Sequence, residues 1–102
     1  MKIDKFAKYP SLKNIPVMIT GGGSGIGASL VEHFVEQDSR VAFIDILEEQ
    51  SAALVDDLGK RFSNPPLYVK CDLTDISELN NAVDRITSEL GPVAVLVNNA
   101  GN

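Results

Sequence analysis

The stretch Thr20-Gly21-Gly22-Gly23-Ser24-Gly25-Ile26-Gly27 decides how the rest of this chain is read. An apolar run, Ile15 to Ile19, leads into it, and a helical pattern on Ile26, Leu30, Val31, Phe34 and Val35 leads out. Glycines between a strand and a helix allow positive φ in a tight turn and let the backbone approach a ligand without a Cβ clash. The helix behind them points unpaired N–H groups and about half a positive charge at the same place, so a pyrophosphate can be held there without Lys or Arg. A glycine-rich turn serving chain reversal alone is the plainer alternative, and the strand–loop–helix setting favours the dinucleotide reading.

The pattern repeats beyond the loop. Val41-Ala42-Phe43-Ile44 ends in Asp45 and is followed by Ala52, Leu54, Val55, Leu58 and Phe62 at helical spacing. Asn64-Pro65-Pro66 breaks that helix, and Leu67-Tyr68-Val69 makes a short strand. Asp75 with Glu78 forms a capping box for a helix whose stripe is Ile76, Leu79, Val83, Ile86 and Leu90. Gly91-Pro92 stops it, and Val93 to Val97 supplies a fourth strand, apolar on both faces as a central parallel strand is. Residues 1–14 show no period and read as an extended lead-in, leaving 15–102 as the folded unit. Successive right-handed βαβ units predict an α/β, doubly wound parallel sheet of strand order 3-2-1-4, with ligands beyond the carboxyl ends where the winding reverses.

Composition narrows the partners. A net charge of −5 and a pI near 4.6 argue against nucleic acid, whose affinity comes from clustered cations. No apolar run approaches the roughly 20 residues needed to span a bilayer. The lone Cys71 allows no intramolecular disulfide and Met1-Lys2-Ile3-Asp4 lacks a secretory apolar stretch, so a cytoplasmic, soluble protein is expected. A nucleoside-triphosphate P-loop fails on one residue: Gly22 and Gly27 have the required gap, but Ala28 stands where the phosphate-binding Lys is needed, although Ser29 follows in the hydroxyl position.

Asp45 lies eighteen positions after Gly27, close to the spacing of about 20 for the acid that accepts ribose hydroxyl hydrogen bonds. A carboxylate there repels the 2′-phosphate of NADP, and Gly22, Gly23, Ser24 and Ile46 supply no compensating cation, so NAD is the expected cofactor. A helix-capping role for Asp45 is compatible with this one. Asp72, after a strand and before a helix, is equally ordinary as a turn residue.

Thr20-Gly21, three residues, then Gly25-Ile26-Gly27 resembles the TGxxxGxG signature of the short-chain dehydrogenases/reductases rather than the GxGxxG of other dinucleotide enzymes. Cys71-Asp72-Leu73-Thr74-Asp75 and Asn98-Asn99-Ala100-Gly101 resemble two further segments of that family, in the same order. The resemblance implies a partial Rossmann-like fold of four strands and three helices, with Asp72 and Leu73 meeting adenine, Asn99, Ala100 and Gly101 lining the adenosine ribose, and Asn98 bracing the sheet. Together with the loop residues Gly21, Gly23, Ser24, Gly25, Ile26 and Gly27, and with Asp45 and Ile46, these make up the expected cofactor site.

It further implies hydride transfer between NAD and an alcohol or carbonyl substrate, a homo-oligomer, and a catalytic Ser and Tyr-xxx-Lys placed after the Asn-Asn-Ala-Gly motif, beyond Asn102. The unit is therefore expected to be an N-terminal portion that binds cofactor, and alone to be marginal or self-associating, since Val93 to Val97 would form a bare apolar edge. A non-catalytic NAD or adenine-nucleotide module is the alternative. Tyr9-Pro10-Ser11-Leu12-Lys13, Phe43-Ile44-Asp45-Ile46 and Asn99-Ala100-Gly101-Asn102 resemble the sugar dehydrogenases of the family more narrowly. Tyr9 and Lys13 have the catalytic gap but precede the first strand, with Pro16 close behind, and His33 and Cys71 sit in no activating context.

Overall fold

The computed structural model describes residues 9–99. A parallel sheet of order β3-β2-β1-β4 is built from β1 (Pro16–Thr20), β2 (Arg40–Asp45), β3 (Leu67–Lys70) and β4 (Val95–Asn98). Helices α1 (Gly25–Glu36), α2 (Glu48–Arg61) and α3 (Ile76–Leu90) alternate with the strands. The fold is α/β and doubly wound, as the repeated pattern predicts.

The buried faces sort the helices by side. Val17, Ile19, Val41 and Phe43 point toward α1 and α2, where they meet Val31, Val35 and Leu58. Met18, Ala42, Ile44, Val69 and Cys71 point the other way and meet Ala82, Ile86 and Leu90 of α3. Each large apolar side chain so buried contributes about 1.5–3 kcal/mol, which is why β1 and β2 tolerate almost no polar residue. Phe43 adds an offset stack on Tyr68, with ring centroids 5.1 Å apart and planes at 27°.

Four details differ from the sequence-based expectation. The lead-in is not extended throughout, because Pro10–Leu12 forms a 3-10 turn whose Pro10 carbonyl accepts the Lys13 N–H. The capping box at α3 is half formed: Asp75 accepts the Glu78 N–H, but the Glu78 carboxylate reaches back to the Asp72 N–H rather than to that of Asp75. The Asp75 N–H is already taken by the Asp72 carbonyl at 3.0 Å, which leaves Glu78 to the nearer free donor. Helix stripes also run short of their ends, since Ile26 and Ile76 at the first turns are 74% and 73% exposed.

The fourth difference bears on the sheet edge. β4 begins at Val95 rather than Val93, the Ala94 N–H bonding the Pro16 carbonyl as the chain enters the sheet. Among the described residues it is the edge that the order 3-2-1-4 predicts. Val95 and Val97 pack on the α1 side, whereas Leu96, opposite Met18, is 59% exposed.

Candidate functional site

The glycine loop is anchored before any ligand is considered. The Gly21 N–H donates to the Ile44 carbonyl at 2.8 Å, and the Gly21 carbonyl accepts from Asn99 Nδ2 at 3.1 Å. Thr20 closes the same corner, its hydroxyl donating to Asn98 Oδ1 at 2.9 Å and accepting the Asn99 N–H at 3.0 Å. The loop is thus bound to β2 on one flank and to the end of β4 on the other. Asn98 ties β4 to β1, and Asn99 reaches under the loop.

Two close approaches set its shape. Gly22 packs on Phe43 so tightly that a Cβ there would sit 2.6 Å from the ring-bearing carbon. A Cβ at Gly27 would collide with the Gly21 carbonyl oxygen. Gly25 is different: its φ is +59° and a side chain there would meet no atom within 4 Å. A Cβ there would point into open space. Ser24 gives α1 no side-chain cap, so the first-turn N–H groups at Gly25, Ile26 and Gly27 lie beside that space without a partner from the cap residue.

Asp45 stands at the end of β2 and is held on every side. Its Oδ2 accepts the Gly23 N–H and its Oδ1 the Leu47 N–H, each at 2.9 Å, while its carbonyl accepts the Tyr68 hydroxyl at 2.9 Å. The Leu47 bond is an Asx-type turn just ahead of α2, whose N-cap is Leu47 itself. Asp45 therefore shapes the approach to the helix and still fronts the site. Burial holds the Tyr68 phenol above its usual range, with the Ser51 hydroxyl nearby opposing it and the Glu48 and Asp45 charges adding to it.

A cavity of about 230 Å³ opens between these parts, lined by Gly21, Asp45, Ile46, Cys71, Asp72, Leu73 and Thr74. Its lining combines apolar side chains with the acidic residues Asp45 and Asp72. Ile46, 55% exposed, and Leu73 supply apolar surface at its mouth. A larger groove of about 820 Å³ lies on the α3 side, along Leu79, Val83 and Leu96. It follows from the uncovered flank of β4, and neither Gly25 nor Asp45 borders it.

Asp72 keeps its turn role at the cavity wall. Thr74 donates to Asp72 Oδ1 through its hydroxyl at 2.7 Å and its N–H at 2.9 Å, and these bonds hold the carboxyl below its ordinary value. Because the folded value is the depressed one, the turn is fully stabilised above the unfolded value and loosens as pH falls through the lower, folded one. The Thr74 amide resonance is expected to stay flat from neutral pH to about 5 and to move only below about 4, the ordinary Asp range. A midpoint above that range would contradict the turn.

Sequence reasoning gave no site role to Tyr68, brought in by the β2–β3 register, or to Ser51 in the first turn of α2, and it read Thr20 only as the start of the glycine signature, not as the hydroxyl that ties Asn98 and Asn99 to the loop. Thr74 was legible as the partner of a turn Asp. Ala100 and Gly101 lie outside the described residues. His33 sits in the last turn of α1, at the end away from the loop. The Cys71 thiol is pushed up by burial first and then by the charges of Glu78, Asp72 and Asp75, the reverse of activation. Among the described residues no group of side chains is arranged to hold a metal, and no helix is long and apolar enough to cross a membrane.

A doubly wound parallel sheet with a glycine loop between β1 and α1 and an acid at the end of β2 has the Rossmann-like architecture. The chain belongs to the short chain dehydrogenase family, whose model matches residues 16–102. It is 49% identical over 96 residues to a D-xylose 1-dehydrogenase of Caulobacter vibrioides, covering 94% of this chain and 37% of that protein. With "Probable galactose dehydrogenase GalD" of Rhizobium meliloti it shares 44% over 94 residues, 92% of this chain and 37% of the relative. The crystal structure of a hydroxysteroid dehydrogenase from Escherichia coli superposes with a TM-score of 0.81 at 33% identity, over 89% of this chain and 38% of that one. The chain therefore spans 37% of the length of the two sugar dehydrogenases it matches.

Proposed function

We propose that residues 15–102 form the cofactor-binding portion of an NAD-dependent dehydrogenase that transfers hydride between NAD and an alcohol or carbonyl group, most simply that of an aldose. The observation that carries this reading is the Asp45 carboxylate, which fronts the cavity at the end of β2 and is joined to the glycine loop through the Gly23 N–H. In it the pyrophosphate rests at Gly25 against the α1 N–H groups, the ribose hydroxyls donate to Asp45, and adenine lies between Ile46 and Asp72-Leu73. Asn99, just after β4, closes the ribose side. NAD supplies the hydride chemistry when bound, and the residues of this chain bind and orient it.

The aldose preference rests on the galactose and D-xylose dehydrogenases among the relatives. A homo-oligomer in a reducing, cytoplasmic setting fits the family and the buried free thiol of Cys71. Calorimetric titration tests the cofactor. NAD is expected to bind at least about tenfold more tightly than NADP, the ratio that 1.4 kcal/mol of carboxylate–phosphate repulsion produces. Asp45→Ala should narrow that ratio, and a wild-type chain that prefers NADP would overturn the assignment. Absorbance of reduced NAD, followed with D-xylose, galactose and a simple secondary alcohol in a protein that carries both this portion and the expected catalytic Ser and Tyr-xxx-Lys, tests the substrate class.

A further inference from the structure

Both oxygens of the Asp45 carboxylate are already engaged by backbone N–H groups, one from the glycine loop and one from the β2–α2 turn. Discrimination between cofactors alone does not call for this arrangement, since a carboxylate free to rotate would carry the same charge. Gly23 is buried, and a side chain on it would strike the Ser51 hydroxyl and come within 2.9 Å of Asp45 Oδ2. The third glycine of the loop is thus seated on the carboxylate and on the first turns of α2. The backbone of Asp45 is fixed in turn, its carbonyl accepting the Tyr68 hydroxyl at 2.9 Å and the Cys71 N–H at 3.3 Å.

We propose that Asp45 is the positioning residue of the phosphate loop: its carboxylate, carried on a backbone held by the Tyr68 hydroxyl and the Cys71 N–H, fixes the Gly23 amide and with it the bound pyrophosphate. The proposal rests on the dinucleotide reading of the site and adds to it a mechanical link between cofactor choice and phosphate binding. A carboxylate offers about four lone-pair positions, so two N–H donors leave room for two ribose hydroxyls, and one group serves both tasks. An amide cannot. In Asp45→Asn one end of the side chain still accepts, while its NH2 is set against the N–H of either Gly23 or Leu47. Substitutions at Asp45 that relax cofactor choice therefore also loosen the loop, and changing the preference to NADP needs a second device to hold Gly23.

The test separates the ribose contact from the loop by using 2′,3′-dideoxyadenosine diphosphate, which keeps adenine and both phosphates but has no ribose hydroxyl for Asp45 to accept. In the full chain, Asp45→Ala and Asp45→Asn are each expected to weaken this nucleotide about tenfold, the loss of one hydrogen bond to a charged group. They should weaken NAD further, because its hydroxyl bonds disappear as well. Amide hydrogen exchange supplies a second readout without nucleotide: the Gly23 N–H should exchange faster in Asp45→Ala, which removes the acceptor outright, while those of Phe43 and Ile44 keep their wild-type protection.

Unchanged Gly23 exchange in Asp45→Ala overturns the proposal by itself. So does unchanged affinity for the dideoxy nucleotide in a chain that binds NAD, since Asp45 would then touch ribose alone. A wild-type chain that binds neither nucleotide would sink the dinucleotide reading instead, and Gly23 exchange would still decide whether Asp45 holds the loop.

Discussion

Gly27→Ala is expected to lower the melting temperature by on the order of 10 °C or more, although alanine is the better helix former. In an ordinary helix interior the exchange stabilises by about 1 kcal/mol. At Gly27 the new methyl would collide with the Gly21 carbonyl oxygen and lie 2.8 Å from both the Gly21 carbonyl carbon and Asn99 Nδ2. Those atoms cannot step aside, because Gly21 is held by Ile44 on one flank and by Asn99 on the other. Either α1 lifts away from the loop or the bonds to Ile44 and Asn99 break, at a cost of about 3 kcal/mol. That is a large share of the roughly 5–15 kcal/mol that holds a domain together. Gly59→Ala is the control, since a Cβ there in α2 would be in ordinary contact, 3.7 Å from Pro65 Cβ. Circular dichroism melts should move in opposite directions for the two, and a Gly27→Ala chain more stable than wild type would refute the close packing.

The contrast shows what a sequence of this kind discloses. Hydrophobic period and βαβ handedness were enough for the order of elements and of strands, because they depend on each segment's own pattern and on a general rule of connection. Asp45 was legible for the same reason, being the last residue of a recognisable strand at a known distance from a glycine loop. Which atoms meet across the sheet was not legible. Tyr68 reaches the Asp45 carbonyl only because Phe43 lies opposite Tyr68 in the β2–β3 register, and nothing within β3 announces that alignment. Thr20 reads as a loop residue until Asn98 is placed opposite it by the β1–β4 register, where its hydroxyl serves both Asn98 and Asn99.

Short-range polar chemistry failed in a more instructive way. The Asp75–Glu78 pair has the capping-box spacing, yet Glu78 turns to the Asp72 N–H because a local turn had already satisfied Asp75. Competition among neighbouring donors, rather than spacing, decides such contacts. The same competition explains why Asp72 and Asp45 each carry a turn as well as a place at the cavity. At β4 the run is apolar on both faces, and the structure packs Val95 and Val97 on the α1 side and leaves Leu96 exposed on the other.

Gly25 should behave as the inverse of Gly27, losing ligand rather than stability. Its φ of +59° costs a non-glycine residue about 1–2 kcal/mol, and nothing within 4 Å would resist the added side chain. A Gly25→Val chain should therefore fold with a modest loss of stability, whereas its isopropyl group would occupy the space into which the first N–H groups of α1 point. Pyrophosphate bonded to those N–H groups would have to retreat, and losing the hydrogen bonds to a charged group, at about 1.5–3 kcal/mol each, should weaken NAD by about 100-fold or more. Strain alone could mimic part of that effect, so Gly25→Asn separates the two causes: asparagine tolerates the left-handed region but still carries a side chain into that space. Equal loss of NAD binding in both variants assigns the effect to occupied space. Asn binding as wild type and Val failing would assign it to backbone strain, and unaltered binding in both would reduce the loop from Thr20 to Gly27 to a turn between a strand and a helix.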